Sequence, residues 1–507
     1  RFVERPSGMF ALAILHDDKK SLTLARDRNG IKPLYYFHDG RSLIFASELK
    51  AILKLIPRPE IDRSSLVEYL RWKYVPSPKT IYRDVYKLPP AHILQASLGS
   101  DAKSVQLNLR KYWDIDYGVG KLMNEYEAID QLDRTIRAAV ESHLESDVEV
   151  GALLSGGVDS SLVVAMASAL SGRRIKTFSV GFEDTGFDQL PYARVVAEKY
   201  GTDHYEEHVR LDPMQTAPLL ARMFDEPFAD SSALACYRVC QVAAKHVKVA
   251  LTGDGGDETF AGYGRYQEVI DFRGGPGVLA RLRNQAVMLS SGVLFSPEAK
   301  YLKRFMTADS PLAQHRQHQY LCSAFLLRKL LGHDLAEQPD AFDAHLARVS
   351  GRAWPAVETA QYVDLNMYLP DDILTKVDRT SMACSLECRV PLLDHSVTEL
   401  STRIPTEMKA RNGVRKYLLK KVAEKYVPPE LLYRQKMGFR VPVRRWFKRE
   451  LLDQTRTLML DGTLVSRGLI QRDGLQWVFN AQRRPWIDFG SQLWALLMLE
   501  HWAREHA

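Results

Sequence analysis

The run Leu153-Leu154-Ser155-Gly156-Gly157-Val158-Asp159-Ser160-Ser161 passes from an apolar stretch through two glycines into three hydroxyls and an acid. Glycines let the backbone approach an anion closely and turn N–H groups toward it. Ser155, Ser160 and Ser161 add hydroxyl donors, and a helix starting behind them presents its positive end. That chemistry is a phosphate cradle. The Gly-x-x-x-x-Gly-Lys-[Ser/Thr] spacing and its lysine are missing, as is Gly-x-Gly-x-x-Gly, so neither a Walker loop nor a dinucleotide fingerprint is present. The competing reading is a plain helix N-cap on a tight turn. Three hydroxyls and two glycines after a buried strand weigh against it.

A second loop, Leu251-Thr252-Gly253-Asp254-Gly255-Gly256-Asp257-Glu258, places three carboxylates on a glycine-rich turn. Beside a triphosphate such a turn suits Mg2+, which takes one or two carboxylates and completes its shell with phosphate oxygens. The competing reading is an acidic surface turn, and the first loop beside it weighs further against that. Tyr433-Arg434-Gln435-Lys436-Met437-Gly438-Phe439 adds a cation, Lys436, of the kind that stabilises charge developing at an α-phosphate. Without context it is also an ordinary surface lysine.

Ser-Gly-Gly-x-Asp-Ser-Ser resembles the pyrophosphate loop of the N-type ATP pyrophosphatases, which cleave ATP between its α- and β-phosphates. Thr252 to Glu258 resembles the second signature of the asparagine synthetase family within that group. The resemblance implies ATP and Mg2+ as cofactors, with Asp159 and Asp257 as metal ligands. It implies nucleotide contacts at Leu153, Ser155, Gly156, Gly157, Asp159, Ser160, Ser161, Val180, Thr252 and Gly253, Leu153 and Val180 serving adenine through their backbones. Lys436 and Asp254 become the catalytic candidates. Asp254 stands where some members carry Glu, and its shorter side chain leaves that role open. Ser231, Ser232 and Glu258 are weaker substrate candidates, since Asp230-Ser231-Ser232 also suits a helix N-cap. The runs Asp371 to Arg379 and Ser385 to Asp394 resemble the same family, with Glu387 and Arg389 read as a structural ion pair.

Residues Ala25 to Tyr36 and Phe45 to Ala51 resemble the last part of a class II glutaminase domain, so the resemblance spans nearly the whole chain. Class II glutaminases use an N-terminal Cys nucleophile, yet none of the five cysteines precedes Cys236, and the family's Arg-Gly-Pro-Asp and Asn-Gly-Glu segments are absent. The chain opens on Arg1 in sequence that is soon strand-like. The expectation is a domain whose beginning, with the glutamine-hydrolysing site, lies upstream.

These loops need strands that end in them and helices that start behind them. Apolar runs at 10–15, 22–25, 34–37 and 43–46, separated by Asp-Asp, Asn-Gly and Asp-Gly turns, read as antiparallel strands, and Ser47-Glu48 opens a short helix. A connecting region broken by Pro76, Pro78, Pro89 and Pro90 follows, with a domain boundary near residue 120. Beyond it, strands at 148–154, 175–180, 204–209 and 247–251 alternate with helices at 125–145, 162–170, 189–200, 214–224 and 232–246. Alternation implies parallel pairing and an open doubly wound sheet, with ligands beyond the carboxyl ends of its strands. Residues 265–507 are helical in pattern. The expected fold class is α/β: a doubly wound parallel-sheet ATP-pyrophosphatase domain with a helical C-terminal part (121–507). The remnant of an antiparallel β-rich, α+β N-terminal-nucleophile glutaminase domain with its linker (1–120) precedes it.

Composition is ordinary for a globular chain of 507 residues: 46% hydrophobic, 26% charged, net charge +7. So diffuse a charge excludes no anionic cofactor and argues for no nucleic-acid partner. The cysteine pairs 236/240 and 384/388 lack CxxC or HxxxH company and read as buried free thiols rather than zinc ligands. No apolar run reaches the roughly 18 residues a bilayer span needs, and no signal peptide is visible. The expected location is the cytoplasm. The expected partners are ATP, aspartate or another carboxylate, and glutamine or ammonia, with no membrane and a homodimer as the candidate assembly. Three functions compete: ATP-dependent amidation of aspartate, tailoring amidation of another carboxylate, and a nucleotide-binding regulator without chemistry.

Overall fold

The computed structural model describes the chain except residues 1, 19, 58, 100–102, 123, 183–187, 273–307, 333–339, 435–440, 450 and 507. Alternating apolar and polar residues pair as half-buried strands, and the N-terminal part does so in two antiparallel sheets. Its strands are β1 (Ala11–His16), β2 (Ser21–Arg26), β3 (Tyr35–His38), β4 (Leu43–Ala46), β5 (Val85–Lys87), β6 (His92–Leu98) and β7 (Val105–Lys111). The sheet orders are β1-β2-β6-β7 and β4-β3-β5. The stretch read as a connecting region is therefore mostly regular structure. It supplies a helix, Arg63–Trp72, and two strands that complete the first sheet, in register Leu24↔Leu94 and Leu94↔Leu109. Its prolines sit between those elements instead of abolishing them. Prolines 89 and 90 fall in the gap before β6, where no ladder N–H is required.

A third sheet is wholly parallel. It contains β8 (Val150–Leu153), β9 (Lys176–Phe182), β10 (Asp203–Val209), β11 (Val249–Leu251) and β12 (Glu387–Arg389), in the order β10-β9-β8-β11-β12. Its helices include α1 (Glu125–Leu144), α2 (Val158–Leu170), α3 (Leu190–Tyr200), α4 (Pro213–Phe224) and α5 (Ser232–Ala244). Asn124 caps α1 by accepting from the N–H groups of Tyr126 and Glu127, and Leu132, Ile136 and Val140 bury its apolar stripe in the cluster that also holds Val150 and Ala152 of β8. The chain winds one way from β8 through β9 to β10, then crosses to β11 and β12. The order reverses between β8 and β11, which is where doubly wound sheets bind ligands.

Two boundaries differ from the sequence reading with consequences for the site. Helix α2 begins at Val158, so Asp159, Ser160 and Ser161 occupy its first turn, where short polar side chains can serve orphan N–H groups. The fifth strand, β12, was not anticipated, because Glu387-Cys388-Arg389 is too short and too polar to signal a strand. Among the described residues the C-terminal region is mainly helical, ending in Gly490–His506, whose Trp494 and Trp502 are buried in the largest apolar cluster. The N-terminal part docks directly on the parallel-sheet part. Asn29 Nδ2 donates to the Leu393 carbonyl (2.7 Å), the Ser77 N–H donates to Asp371 (2.7 Å), and Lys87 pairs with Glu226 at 2.6 Å.

Candidate active site

Strand β8 delivers Ser155 at its carboxyl end, and α2 returns Ser160 to face it. Their hydroxyls lie 3.0 Å apart, and the Ser155 N–H donates to Ser160 Oγ at 3.2 Å. Gly156 adopts φ +65°, and a Cβ there would stand 2.5 Å from the Tyr192 backbone on α3. Strand β11 ends beside this turn. A Cβ on Gly253 would meet the Ser160 nitrogen at 2.6 Å, so glycine is what allows the second loop to press against the first.

The two loops open into one cavity of about 720 Å³, within the range of small-molecule sites. Leu153, Ser155, Gly157, Asp159 and Ser160 line it from the first loop, and Thr252, Gly253, Asp254, Asp257 and Glu258 from the second. Val180 reaches it from β9 and Ser232 from α5. Three candidates do not line it: Gly156 backs onto α3, Ser161 is fully buried, and Ser231 lies off the wall. Lys436 is outside the described residues. The cap expected around residue 230 is not made by Ser231, which holds the N-cap position without a side-chain bond; Asp230, one residue earlier, accepts from both the N–H and the hydroxyl of Ser232 at 3.0 and 2.8 Å.

The side chain joining the loops is one the sequence reading passed over. Lys416 Nζ lies 2.6 Å from Asp159 Oδ2 and 2.8 Å from Asp257 Oδ1, and the lysine is only 6% exposed. Burial disfavours its charge, but the two carboxylates outweigh it and push the ammonium well above the usual lysine range. Lys416 takes φ +54°, uncommon for a residue with a side chain and of the kind found at functional sites. It is separated from both partners by long stretches of chain, so no local spacing could reveal it. The one sequence hint was Arg415-Lys416 after an Asn-Gly turn.

The remaining acids of the second loop are also engaged. Thr252 Oγ1 donates to Asp254 Oδ2 (2.8 Å), and Tyr263 Oη donates to Glu258 Oε1 (2.7 Å). Burial raises both carboxyls, and Asp257 beside Glu258 helps to bring the latter to about 7. A second buried cation, Lys376, bonds Asp230 at 3.0 Å and the Ser232 hydroxyl at 2.9 Å on the cavity wall. Burial opposes the charge of Asp230, yet Lys376 and Lys73 hold that carboxyl below the ordinary range.

Asp159 and Asp257 offer the hard oxygens that suit a divalent cation. Among the described residues they have no third His, Cys, Asp or Glu close enough to complete a protein-only site. A cation there would draw its other ligands from phosphate and water, as Mg2+ commonly does. Elsewhere, Glu387 and Arg389 form a 2.6 Å ion pair, with Arg389 also tied to the His143 and Glu145 carbonyls at 2.8 and 2.7 Å. They do not line the cavity. All five cysteines are free and four are buried.

The asparagine synthase family model matches residues 131–504, and the glutamine amidotransferase domain model matches residues 1–113. Asparagine synthetase [glutamine-hydrolyzing] 1 of Bacillus subtilis is 32% identical over 502 residues, covering 98% of this chain and 77% of that protein. A putative asparagine synthetase [glutamine-hydrolyzing] of Mycobacterium tuberculosis is 31% identical over 516 residues, covering 99% and 77%. Amidase chry2 of Gibberella zeae is 26% identical over 534 residues, covering 95% and 77%. Among the described residues, no helix is long and apolar enough to cross a membrane.

Proposed function

The chain belongs to the asparagine synthase family, and from that premise we propose that it is a glutamine-dependent carbon–nitrogen ligase that converts aspartate to asparagine at the expense of ATP. The observation that carries this reading is the meeting of both glycine loops in one cavity at the β8/β11 switch point. A carboxylate oxygen of the acceptor attacks the α-phosphorus, pyrophosphate leaves, and an acyl-adenylate forms. Ammonia then attacks the acyl carbon, AMP departs with the carboxylate oxygen, and the nitrogen loses a proton to give the amide.

The chain's own part is to hold and to polarise. Ser155, Gly157 and Ser160, with the first turn of α2, receive the pyrophosphate portion. Backbone groups at Leu153 and Val180 receive adenine, and Thr252 and Gly253 flank the phosphates. Asp159 and Asp257 would hold Mg2+, which neutralises phosphate charge when bound. Lys416, now between those carboxylates, is placed to exchange them for phosphate oxygens. Lys436 is assigned to the α-phosphate by family resemblance, and Asp254 to the incoming nitrogen. Ser232 and Glu258 fall to the acceptor side, with Ser231 a weaker candidate.

We place the division between the two parts near residue 120. The last strand of the antiparallel sheets ends at Lys111 and α1 begins at Glu125, which supports it. A cytoplasmic location and the absence of a nucleic-acid partner belong to the same proposal, supported by the free thiols and the near-balanced charge. A homodimer is carried as its assembly state.

A second reading, tailoring amidation of another carboxylate, is favoured by the similarity to proteins named amidase chry2 and amidase chyE. Incubation with ATP, Mg2+, ammonia and aspartate separates the two. Asparagine with stoichiometric AMP and pyrophosphate is expected. ATP binding without asparagine would move the protein to the tailoring group, and release of ADP would overturn α,β-cleavage itself.

A further inference from the structure

Arg434 follows the short helix Pro429–Leu432, on the far side of the chain from the first loop in sequence, yet its side chain reaches the cavity. Its Nη2 donates to the Gly156 carbonyl at 3.0 Å, and its guanidinium carbon sits 4.0 Å from the centre of the Tyr192 ring. Nε and Nη1 are shielded from solvent and have no hydrogen-bond partner among the described residues. Tyr192 also supplies the backbone wall against which Gly156 is packed. Tyr192, Gly156 and Arg434 thus form one stack behind the pyrophosphate loop.

A trans peptide is planar, so its C=O and N–H point in opposite directions. Tying the Gly156 carbonyl outward fixes the Gly157 N–H on the opposite side of that peptide, where it donates to Ser155 Oγ at 3.3 Å on the cavity wall. Gly156 and Gly157 lack side chains that would otherwise restrict a peptide flip. Arginine suits the task because its planar fork donates in one direction while its face stacks on an aromatic ring, which lysine cannot reproduce.

We propose that Arg434 is the positioning residue of the pyrophosphate loop: stacked on Tyr192, it locks the 156–157 peptide in the orientation that turns the loop's N–H toward the phosphates. The inference rests on the cavity's being an ATP site, and not on which carboxylate is amidated. Its effect is confined to phosphate recognition. Adenine and acceptor contacts come from other elements.

Titration calorimetry on the full chain with pyrophosphate, MgATP and adenosine tests this. Arg434→Ala is expected to weaken pyrophosphate and MgATP by about 10- to 100-fold, the range for hydrogen bonds from a charged donor, and to leave adenosine within about twofold. Arg434→Lys, which keeps the charge and most of the volume, should recover little of that loss. Tyr192→Leu should weaken pyrophosphate in the same direction by a smaller factor, and Tyr192→Phe should not. In steady state KM for ATP should rise while kcat holds within about threefold. Unchanged pyrophosphate affinity in Arg434→Lys, or parallel losses for adenosine and pyrophosphate, would overturn the proposal. If Arg434→Ala does not fold, the Lys variant decides alone. Asparagine formation by the unaltered protein is measured beside these titrations. A failure there retires the acceptor assignment and leaves Arg434 untouched.

Discussion

Two glycine-rich loops leave neighbouring strands of one sheet and meet the cavity with opposite chemistry. The loop after β8 presents donors: the Ser155–Ser160 hydroxyl pair, glycine amides and the first turn of α2. Its one acid, Asp159, is turned to Lys416. The loop after β11 presents acids, and each is engaged: Asp254 by the Thr252 hydroxyl, Asp257 by an ion pair with Lys416, and Glu258 by the Tyr263 hydroxyl. The first loop therefore supplies the field that favours an anion, and the second supplies oxygens that favour a cation. Lys416 is the only described side chain with ion pairs to both. Neither loop is a site by itself. The chemistry requires the carboxylates to be drawn close to the phosphate cradle without repelling it, and a buried ammonium achieves that.

The largest expected effect comes from separating the loops. Asp159→Ala should reduce ATP–pyrophosphate exchange by about 10³-fold or more, and Lys416→Met should reduce it by about 10²- to 10³-fold, the scale of losing a charged group at a reacting phosphate. Because both residues act through one contact, the double variant should fall well short of the product of the single losses. Full additivity would show that the loops work independently and would break the comparison.

A smaller effect concerns how the second loop is held from behind. The wholly buried Lys409 donates to Gln361 Oε1 at 3.1 Å, and Gln361 Nε2 donates to the Glu258 and Thr259 carbonyls at 2.6 and 3.0 Å. Burial pushes Lys409 down to about 7, against the attraction of Glu358. An unfolded lysine titrates near 10.4, so above pH 7 the unfolded chain carries the extra proton and folding gains stability as pH rises. Below pH 7 both states are protonated and the slope vanishes. Urea midpoints across pH 6 to 9 should show Lys409→Met losing a rise of at most about 1.4 kcal/mol per pH unit relative to the unaltered protein. An unchanged difference between the two across that range would remove the lysine from this role.

The smallest effect divides neighbouring serines of the first loop. Ser160→Ala loses a cavity hydroxyl and a partner of Ser155, and KM for ATP should rise about fivefold, the scale of one hydrogen bond. Ser161 is fully buried, and its hydroxyl has no hydrogen-bond partner among the described residues. Ser161→Ala should leave KM within about twofold and thermal stability unchanged or slightly raised. Equal effects would mean that the whole Ser-Ser turn faces the nucleotide.

Legibility followed sequence separation. Both loops, the first four strands of the parallel sheet and the helices between them are contiguous patterns, and the structure has them within a few residues. Strands β6 and β7 were obscured because prolines 76, 78, 89 and 90 mimic a linker, although each lies outside a strand. Strand β12 is three residues long and, among the described residues, pairs with β11 alone, so nothing near it in sequence announces it. Lys376 lies within the run Asp371 to Arg379 but its role is invisible there, because its partners Asp230 and Ser232 lie at the start of a helix distant in sequence.

By itself the sequence determined which chemistry is available: glycines where a backbone must approach phosphate, hydroxyls at a helix start and carboxylates on a tight turn, since residue type and local spacing set turn and cap preferences. Only the tertiary structure decided which charges meet. Lys416 reaches Asp159 and Asp257, and Arg434 reaches Gly156, because the sheet order sets β8 beside β11 and the helical region folds back over their ends. Coulomb and hydrogen-bond energies depend on distances of a few ångströms, and those distances exist only once the distant segments have packed.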